Sequence, residues 1–312
     1  MKKILFCCFL YLLCLVNVYG KENNFLQNIS LTYENDSVYG KDRYYTNGIQ
    51  LSFLSKNFDL LDDGVKFYNY SFGIGQKIFT ASDIEIEFPE ENDRPYAGYL
   101  YFYLNKNFFY KSNIINLFGF SIGTTGANSL AEEAQKKIHD LIGSPKPMGW
   151  KTQIDNELLF MLTYSHIREL YNINFNKNNF NILSKSTINF GTPHTNIKQY
   201  FEFRYGLDIF GNFSSHRINN DTIGFVNNNN FNYYVFGGVG LNGIFYDTFL
   251  DGNIGDRRKD VNKKPFVYEI SAGAIIEFKE FYIKYTTVFL SNEFKNQDCG
   301  QILFILTGGI KF

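Results

Sequence analysis

Alternation of hydrophobic and polar residues at every second position is the dominant pattern of this chain. From Phe266 to Phe278 the even-numbered positions are all apolar, whereas the odd-numbered positions include Glu269 and Glu277. A period of two places successive side chains on opposite faces of a β-strand. The pattern therefore predicts strands with one apolar face and one face that meets polar groups.

The same alternation predicts about twelve strands. They are expected near 26–35, 44–56, 66–77, 96–109, 113–123, 154–168, 177–190, 200–211, 231–246, 265–278, 280–291 and 301–312. Each segment is about ten residues or slightly longer, and the number is even, as in single-chain barrels of the bacterial outer membrane. The predicted fold class is all-β, with a transmembrane antiparallel β-barrel preferred over a soluble β-sandwich.

Aromatic residues support the barrel over the sandwich. They make up 19% of the chain and cluster near predicted strand ends, for example at Tyr44–Tyr45 and Phe108–Tyr110. Such clusters are typical of the aromatic girdles at the two membrane interfaces. The last predicted strand ends on Phe312, the terminal aromatic residue typical of proteins inserted by outer-membrane assembly machinery.

The first twenty residues predict export. A basic start, an apolar stretch and a compact end at Gly20 form a signal peptide over residues 1–20, which leaves residues 21–312 as a single barrel domain. No later apolar run reaches ~18 residues, so no transmembrane helix is expected.

A net charge of −1 gives no electrostatic basis for nucleic-acid binding. Nothing in the sequence points to an obligatory protein partner.

A barrel that begins and ends in the periplasm has alternate connections outside the cell. The predicted extracellular connections are 37–43, 79–95, 124–153, 191–199 and 247–264. The Asn-rich connection 212–230 falls on the periplasmic side and is longer than usual there.

One extracellular connection contains a predicted short helix. Ser129 and Glu132 have the spacing of a capping box at its start, and Gly143 suits its end. Leu130, Ala131, Ala134, Ile138, Leu141 and Ile142 form an apolar arc, by which we expect the helix to dock. Gln135 and His139 then lie one turn apart at the border of that contact.

Two further stretches carry candidate chemistry at the outer rim. Asn35 and Asp36 end the first strand, and Thr46 lies at the start of the second, so their oxygen atoms are expected to converge. Such oxygens suit a hard cation such as Ca²⁺, although an Asn-Asp-Ser sequence also forms simple turns. Arg94 is a candidate clamp for phosphate or carboxylate, or alternatively the partner of Asp93.

His139 is the candidate general base. A neutral imidazole takes a proton from water that attacks an ester carbonyl, and a bound cation stabilises the oxyanion. The chain has no Gly-x-Ser-x-Gly sequence that would nominate a serine nucleophile.

Taken together and in order, several motifs resemble the outer-membrane lipid A 3′-O-deacylases, a family of twelve-stranded barrels. The motifs are Glu34-Asn-Asp-Ser37, Tyr45-Thr-Asn-Gly48, Asp93-Arg-Pro-Tyr-Ala-Gly98, residues 131–143 with Gly149-Trp150, Phe249-Leu-Asp-Gly-Asn253 and Glu293-Phe294. The resemblance implies Ca²⁺-dependent hydrolysis of the ester that holds the 3′ acyloxyacyl chain on lipid A of lipopolysaccharide, at the outer leaflet of the outer membrane. It also implies that His139, Gln135 and Thr46 are catalytic and that Asn35 and Asp36 bind the metal.

The sequence departs from that family at two points. The stretch 144–148 lacks the acidic residue expected after the helix, so Glu157 or Glu132 is the alternative metal ligand. The second outer connection is acidic and lacks the expected lysine, which leaves Arg94 or bridging cations to contact phosphates. A phospholipase barrel and a non-enzymatic porin or adhesin are the remaining alternatives.

Overall fold

Twelve antiparallel strands close into a barrel in the computed structural model, which describes residues 25–36, 40, 42–60, 64–207, 215–218, 230–257 and 261–312. The prediction of an all-β barrel with about twelve strands is confirmed. The predicted signal peptide, residues 1–20, lies outside the described residues. The barrel strands are β1 (Leu26–Asn35), β2 (Tyr44–Ser55), β3 (Val65–Thr80), β4 (Ala97–Tyr110), β5 (Ile114–Thr125), β6 (Leu158–Phe175), β7 (Asn178–Gly191), β8 (His194–Leu207), β9 (Phe231–Asp247), β12 (Phe266–Phe278), β13 (Phe281–Leu290) and β14 (Gln301–Lys311).

The remaining elements are short. A small hairpin, β10 (Gly252–Asn253) with β11 (Asp256–Arg257), follows the one-turn helix α2 (Thr248–Asp251). The longer helix α1 (Ala131–Ile142) lies between 3₁₀ turns at Gly126–Ser129 and Gly149–Thr152. No helix in the described ranges is both long and apolar enough to cross a membrane.

Side-chain alternation separates the interior of the barrel from its outer wall. On β4, Tyr101 and Tyr103 are at most 1% exposed, whereas Phe102 between them is 45% exposed. The Tyr101 hydroxyl donates to Gln50 Oε1 (2.7 Å) and the Tyr103 hydroxyl contacts Ser52 Oγ (2.8 Å), both on β2. The lumen is therefore filled by aromatic residues whose hydroxyls have partners, while apolar residues cover the outside, where the bilayer lies.

The lengths of the connections indicate which end of the barrel faces the periplasm and which faces outward. The connections 111–113, 176–177 and 279–280 are short turns at the end where β1 begins and β14 ends, and the long connections 81–96 and 126–157 lie at the opposite end. Short turns face the periplasm and long loops face outward in bacterial barrels. The connection with α1 is thus extracellular, as predicted. The predicted outer loop 191–199 is instead a tight turn at 192–193, because β8 already begins at His194.

The ends of α1 agree only in part with the prediction. Gly143 ends the helix in the left-handed conformation (φ 69°), as expected. The N-cap, however, is Leu130 (φ 57°), with no side-chain hydrogen bond to the first turn. The predicted capping box is wrong because the Ser129 hydroxyl donates to the Gly126 carbonyl (2.6 Å), and Glu132 pairs with a lysine of the next turn.

The docking face of α1 is rotated from the predicted one, and it keeps only Ala131 of the predicted arc among its buried residues. Its buried residues are Ala131, Gln135 and His139, which share one stripe at a spacing of four. Three residues of the predicted docking arc point away from the protein: Leu130, Ile138 and Leu141, which are 57%, 40% and 70% exposed. The predicted orientation is wrong because the helix lies outside the barrel, where its apolar arc faces the membrane region instead of a core.

Candidate active site on the outer wall of the barrel

Helix α1 and the turn before it pack against the outer surface of β3 and β4. Gln76 Nε2, on the outward face of β3, donates to the Ser129 carbonyl (2.7 Å). Gly98 on β4 lies under the same turn, and a Cβ at this position would collide with the side chains of Ser129 and Ala131. Glycine is therefore required for the close approach, which fixes α1 on the lipid-facing wall.

The ends of β1 and β2 form the second wall of the site. Asn35 Nδ2 donates to the Thr46 carbonyl (3.0 Å), and the Thr46 hydroxyl lies 3.3 Å from Asp36 Oδ1. An irregularity in the β2–β3 pairing between Tyr45 and Asn47 marks a bulge at Thr46. Bulges re-aim side chains in this way. The structure thus brings Asn35, Asp36 and Thr46 together at the rim.

Asp42 joins this rim to the helix. Its Oδ1 accepts a hydrogen bond from the Thr46 hydroxyl, and its Oδ2 lies 3.3 Å from His139 Nε2. Sequence reasoning missed this residue. The available signal was weak, namely a carboxylate in the first outer connection, four positions before Thr46.

The surroundings of His139 define the state of its ring. The side chain is 8% exposed, and Nδ1 lies 2.5 Å from the Pro145 carbonyl oxygen. A carbonyl oxygen only accepts, so Nδ1 carries a hydrogen. Nε2 faces the Asp42 carboxylate, which also only accepts, so this contact becomes a hydrogen bond when Nε2 is protonated. The turn at Gly143 brings Pro145 back over the helix, with the Ser144 amide donating to the His139 carbonyl (3.0 Å).

Gln135 lies one turn before His139 and is 3% exposed. Trp150 Nε1 donates to Gln135 Oε1 (2.9 Å), which fixes which end of the amide is the donor. Trp150 is itself held edge-on against Tyr96, with ring centroids 5.3 Å apart. Gln135 Nε2 is buried and has no hydrogen-bond partner among the described residues. A fixed, unpaired donor therefore lies beside the histidine.

Two acids, Asp36 and Asp42, meet at the rim. Burial, reinforced by the nearby Asp42 charge, raises the pKa of Asp36 to about 8, although hydrogen bonds from the Arg43 amide and from Gln301 act in the opposite direction. The Arg43 guanidinium instead pairs with Asp298 (3.0 Å). In the described part of the chain no Lys or Arg side chain forms an ion pair with Asp36 or Asp42.

This donor set fits a hard cation. Carboxylate, amide and hydroxyl oxygens are the ligands that Ca²⁺ prefers. No group of three or more His, Cys, Asp or Glu side chains has a metal-binding arrangement in the residues that the structure describes. A cation would therefore take neutral oxygens from Asn35 and Thr46 beside the carboxylates of Asp36 and Asp42.

Two predicted site residues lie elsewhere. Arg94 is 1% exposed, pairs with Glu293 (2.5 Å) and covers the Phe79 ring (4.5 Å), so it faces a luminal cavity instead of the membrane. Glu157 directly precedes β6, which is separated from β1 by four strands, and its Oε2 is buried with no partner in the described ranges. In the described residues neither Arg94 nor Glu157 contacts His139, whereas the Asp42 carboxylate lies 3.3 Å from it.

Comparisons with known proteins agree with this architecture. No curated protein matches the sequence. Among solved structures, LpxR from Salmonella typhimurium is similar with a TM-score of 0.78 and 20% identity, covering 91% of this chain and 100% of that one. The translocator domain of the autotransporter NalP from Neisseria meningitidis reaches a TM-score of 0.44 at 9% identity, covering 96% and 93%.

The family model described as "Outer membrane protein LpxR" matches residues 4–312. Together with the twelve-stranded barrel, this match places the protein in the outer membrane. The chain belongs to the outer membrane protein LpxR family.

Proposed function

We propose that the protein is an esterase that removes the 3′-linked acyloxyacyl chain from lipid A in the outer leaflet. One observation carries the proposal: the His139 imidazole lies on the outer wall of the barrel, with Nε2 3.3 Å from Asp42 and the Thr46 hydroxyl bound to the same carboxylate. A membrane lipid reaches this wall without entering the lumen. Membership of the LpxR family supports the reaction, and the motif resemblance supports the choice of the 3′ ester.

His139 acts as the general base in this proposal. The Pro145 carbonyl holds the Nδ1 hydrogen, so Nε2 accepts a proton from the water that attacks the ester carbonyl. The Asp42 carboxylate then stabilises the imidazolium, which returns the proton to the leaving alcohol oxygen as the ester C–O bond breaks. A positioned base of this kind contributes ~10²–10⁴-fold to a rate.

Gln135 is suited to orient the reacting ester. Its Nε2 donor is buried, unpaired and fixed by Trp150, so it is already positioned to donate to a substrate oxygen. A prearranged donor stabilises the charge that develops on that oxygen without reorganisation.

Asp36, Asp42, Asn35 and Thr46 would hold Ca²⁺. The fit rests on two carboxylates that share one hydroxyl and, among the described residues, pair with no Lys or Arg side chain, with the pKa of Asp36 raised by burial. Bound Ca²⁺ would supply positive charge against the negative charge that develops on the ester oxygen.

The outward surface of α1 supports an amphiphilic substrate. Leu130, Ile138 and Leu141 are exposed beside the site, and Phe88 in the preceding outer connection is 69% exposed. Such residues lie at the boundary of head groups and acyl chains. Acyl chains of a lipid thus have apolar contacts on the helix while the ester meets His139.

The two rival functions have less support. A serine-dependent phospholipase needs a serine hydroxyl against the histidine, and no serine side chain contacts the His139 ring in the described part of the chain. A porin needs an open lumen, whereas Tyr101, Tyr103 and Phe249 belong to a buried cluster inside this barrel.

Replacing His139 by alanine tests the proposal. His139→Ala should keep the folded barrel and lower release of the 3′ chain ~10²-fold or more, because the base is lost. Mass spectrometry of lipid A incubated with purified protein and Ca²⁺ measures the product. His166→Ala is the matched control, since His166 bonds Asn116 on the outward face of the barrel, away from the site, and should act like wild type. Undiminished release by His139→Ala would overturn the mechanism, and release of phospholipid fatty acids instead would favour the phospholipase.

A further inference from the structure

Part of the periplasmic connection between β8 and β9 lies inside the barrel. His216 Nε2 is 2.9 Å from Glu269 Oε1, and its ring stacks on Tyr200 with centroids 4.0 Å apart. Lys284 Nζ donates to the Ser215 carbonyl (3.1 Å). Glu269, Tyr200 and Lys284 are buried on the luminal faces of β12, β8 and β13, so the described residues 215–218 occupy the lumen.

The tip of this segment reaches the outer ends of β1 and β2. Ile218 is 1% exposed, and its backbone amide donates to Glu34 Oε1 (2.5 Å). Arg217 lies 4.0 Å from Glu34 and 5.7 Å from the centroid of the Tyr45 ring. Gly48 completes the contact, because a Cβ there would collide with the Tyr45 hydroxyl and lie 3.2 Å from Ile218.

The same backbone carries the candidate active site on its other face. Glu34 points into the lumen and the next residue, Asn35, lies at the outer wall. Tyr45 also points inward and donates from its hydroxyl to Glu34 Oε2 (2.6 Å), whereas the following Thr46 contacts Asp36. Each luminal anchor, Glu34 or Tyr45, is therefore followed directly in the chain by a residue of the site.

Glu34 has to be held in place because it is fully buried. A buried carboxylate needs hydrogen bonds and a counter-charge. The Tyr45 hydroxyl and the Ile218 amide supply the hydrogen bonds, and Arg217 supplies the charge. Arg217 is also 3.6 Å from Glu269 on β12, so it links the rim to a strand three positions from β1 around the barrel.

We propose that residues 215–218 are a positioning element for the outer-wall site, in which Arg217 and the Ile218 amide hold Glu34 and so fix the β1–β2 rim that presents Asn35, Asp36 and Thr46. Arg217 touches no substrate and acts only through Glu34 and Tyr45. The activity part of this inference rests on the proposed function, whereas the rigidity of the rim does not.

The test compares Arg217→Met and Arg217→Lys with wild type in detergent micelles. Arg217→Met should speed amide hydrogen exchange across 33–36 and 45–47 about tenfold, because local opening is no longer opposed from the lumen. It should also weaken Ca²⁺ binding, measured by calorimetry, and lower kcat for lipid A about tenfold with KM within about twofold. Arg217→Lys keeps the charge and should recover part of each effect. Heat-dependent mobility on a gel checks that each barrel is folded.

Lys311→Met is the control, since it removes another buried luminal cation, 2.7 Å from Glu277 at the periplasmic end. Exchange at the rim should stay as in wild type. Wild-type exchange and wild-type Ca²⁺ affinity in Arg217→Met would overturn the positioning role. If wild type releases no acyl chain but Arg217→Met still loosens the rim, the proposed function fails and the positioning role stands. If Arg217→Met does not fold, the same amide-exchange measurement is made on Arg217→Lys, and its result decides whether Arg217 positions the rim.

Discussion

The acids inside the barrel and the acids on its outer wall have opposite surroundings. Three luminal acids lie against cations, in pairs that join Glu202 to Arg204 (2.5 Å), Glu269 to Lys198 (2.7 Å) and Glu277 to Lys311 (2.7 Å). On the outer wall, Asp36 and Asp42 share the Thr46 hydroxyl, and in the part of the chain that the structure describes His139 is the basic side chain that contacts them, through Asp42. Breaking a buried pair is costly because it leaves an uncompensated charge, whereas acids without a cation beside them are candidates for binding a ligand.

The largest effect is expected from Asp42→Asn. It removes a neighbour of the base and one of two cation-binding carboxylates, so kcat/KM for lipid A should fall ~10²–10³-fold. The free energy of unfolding without Ca²⁺ should not decrease, because repulsion with Asp36 is relieved. Product masses over a Ca²⁺ series, and in excess chelator for wild type, measure the effect.

Asp298→Asn is the matched control for Asp42→Asn. Asp298 is an acid of a neighbouring outer connection whose side chain is 69% exposed. Its replacement should change the rate less than about twofold, since exposed pairs contribute little. Full activity of wild type in excess chelator would show that the mechanism needs no cation. Equal rates for Asp42→Asn and Asp298→Asn would show that Asp42 has no special role.

Replacing a luminal acid should lower stability and leave activity nearly unchanged. Glu277→Gln leaves Lys311 buried without its charge partner at the periplasmic end, so the free energy of unfolding should fall by about 3 kcal/mol. Deacylation at a temperature where the barrel stays folded should remain within about twofold of wild type, because the change is far from the rim. Denaturant titration in lipid vesicles measures the first quantity. Glu280→Gln, an exposed acid at the same end, should leave it unchanged.

The smallest effect on activity is expected from Arg94→Met. Arg94 pairs with Glu293 inside the barrel, so KM for lipid A should stay within about twofold and stability should fall by about 1 kcal/mol. The double variant with Glu293→Gln should lose little more than the single one, since both changes break one contact. A tenfold rise in KM for Arg94→Met would instead restore Arg94 as a phosphate clamp.

Alternation predicted the barrel well because it is a local property of each strand. The segment predicted at 231–246 is observed as Phe231–Asp247, and the one at 265–278 as Phe266–Phe278. Prediction was poorer where connections are irregular. The segment predicted at 200–211 is shifted, since β8 spans His194–Leu207 and residues 208–214 lie outside the described part.

The candidate site was predicted in part. Asn35, Asp36 and Thr46 lie at strand ends that pair with one another, so their proximity follows from a hairpin. The positions of Glu157 and Arg94 could not be predicted in this way, because they depend on which strands are neighbours and on which way each side chain points. Motif order alone contains neither, and Asp42 was missed because a single acid in a short connection resembles any surface acid.

The sequence by itself determined the strand period, the number of strands, the end of α1 at Gly143 and the residues carried on the β1–β2 hairpin. Only the tertiary structure decided on which side of the wall each group lies. The docking face of α1, the meeting of Asp42 with His139 and the insertion of residues 215–218 depend on barrel closure. The physical reason is that local patterns specify two faces of a strand or helix, whereas the medium that each face meets (lipid, lumen or another element) is set by contacts between residues far apart in the chain.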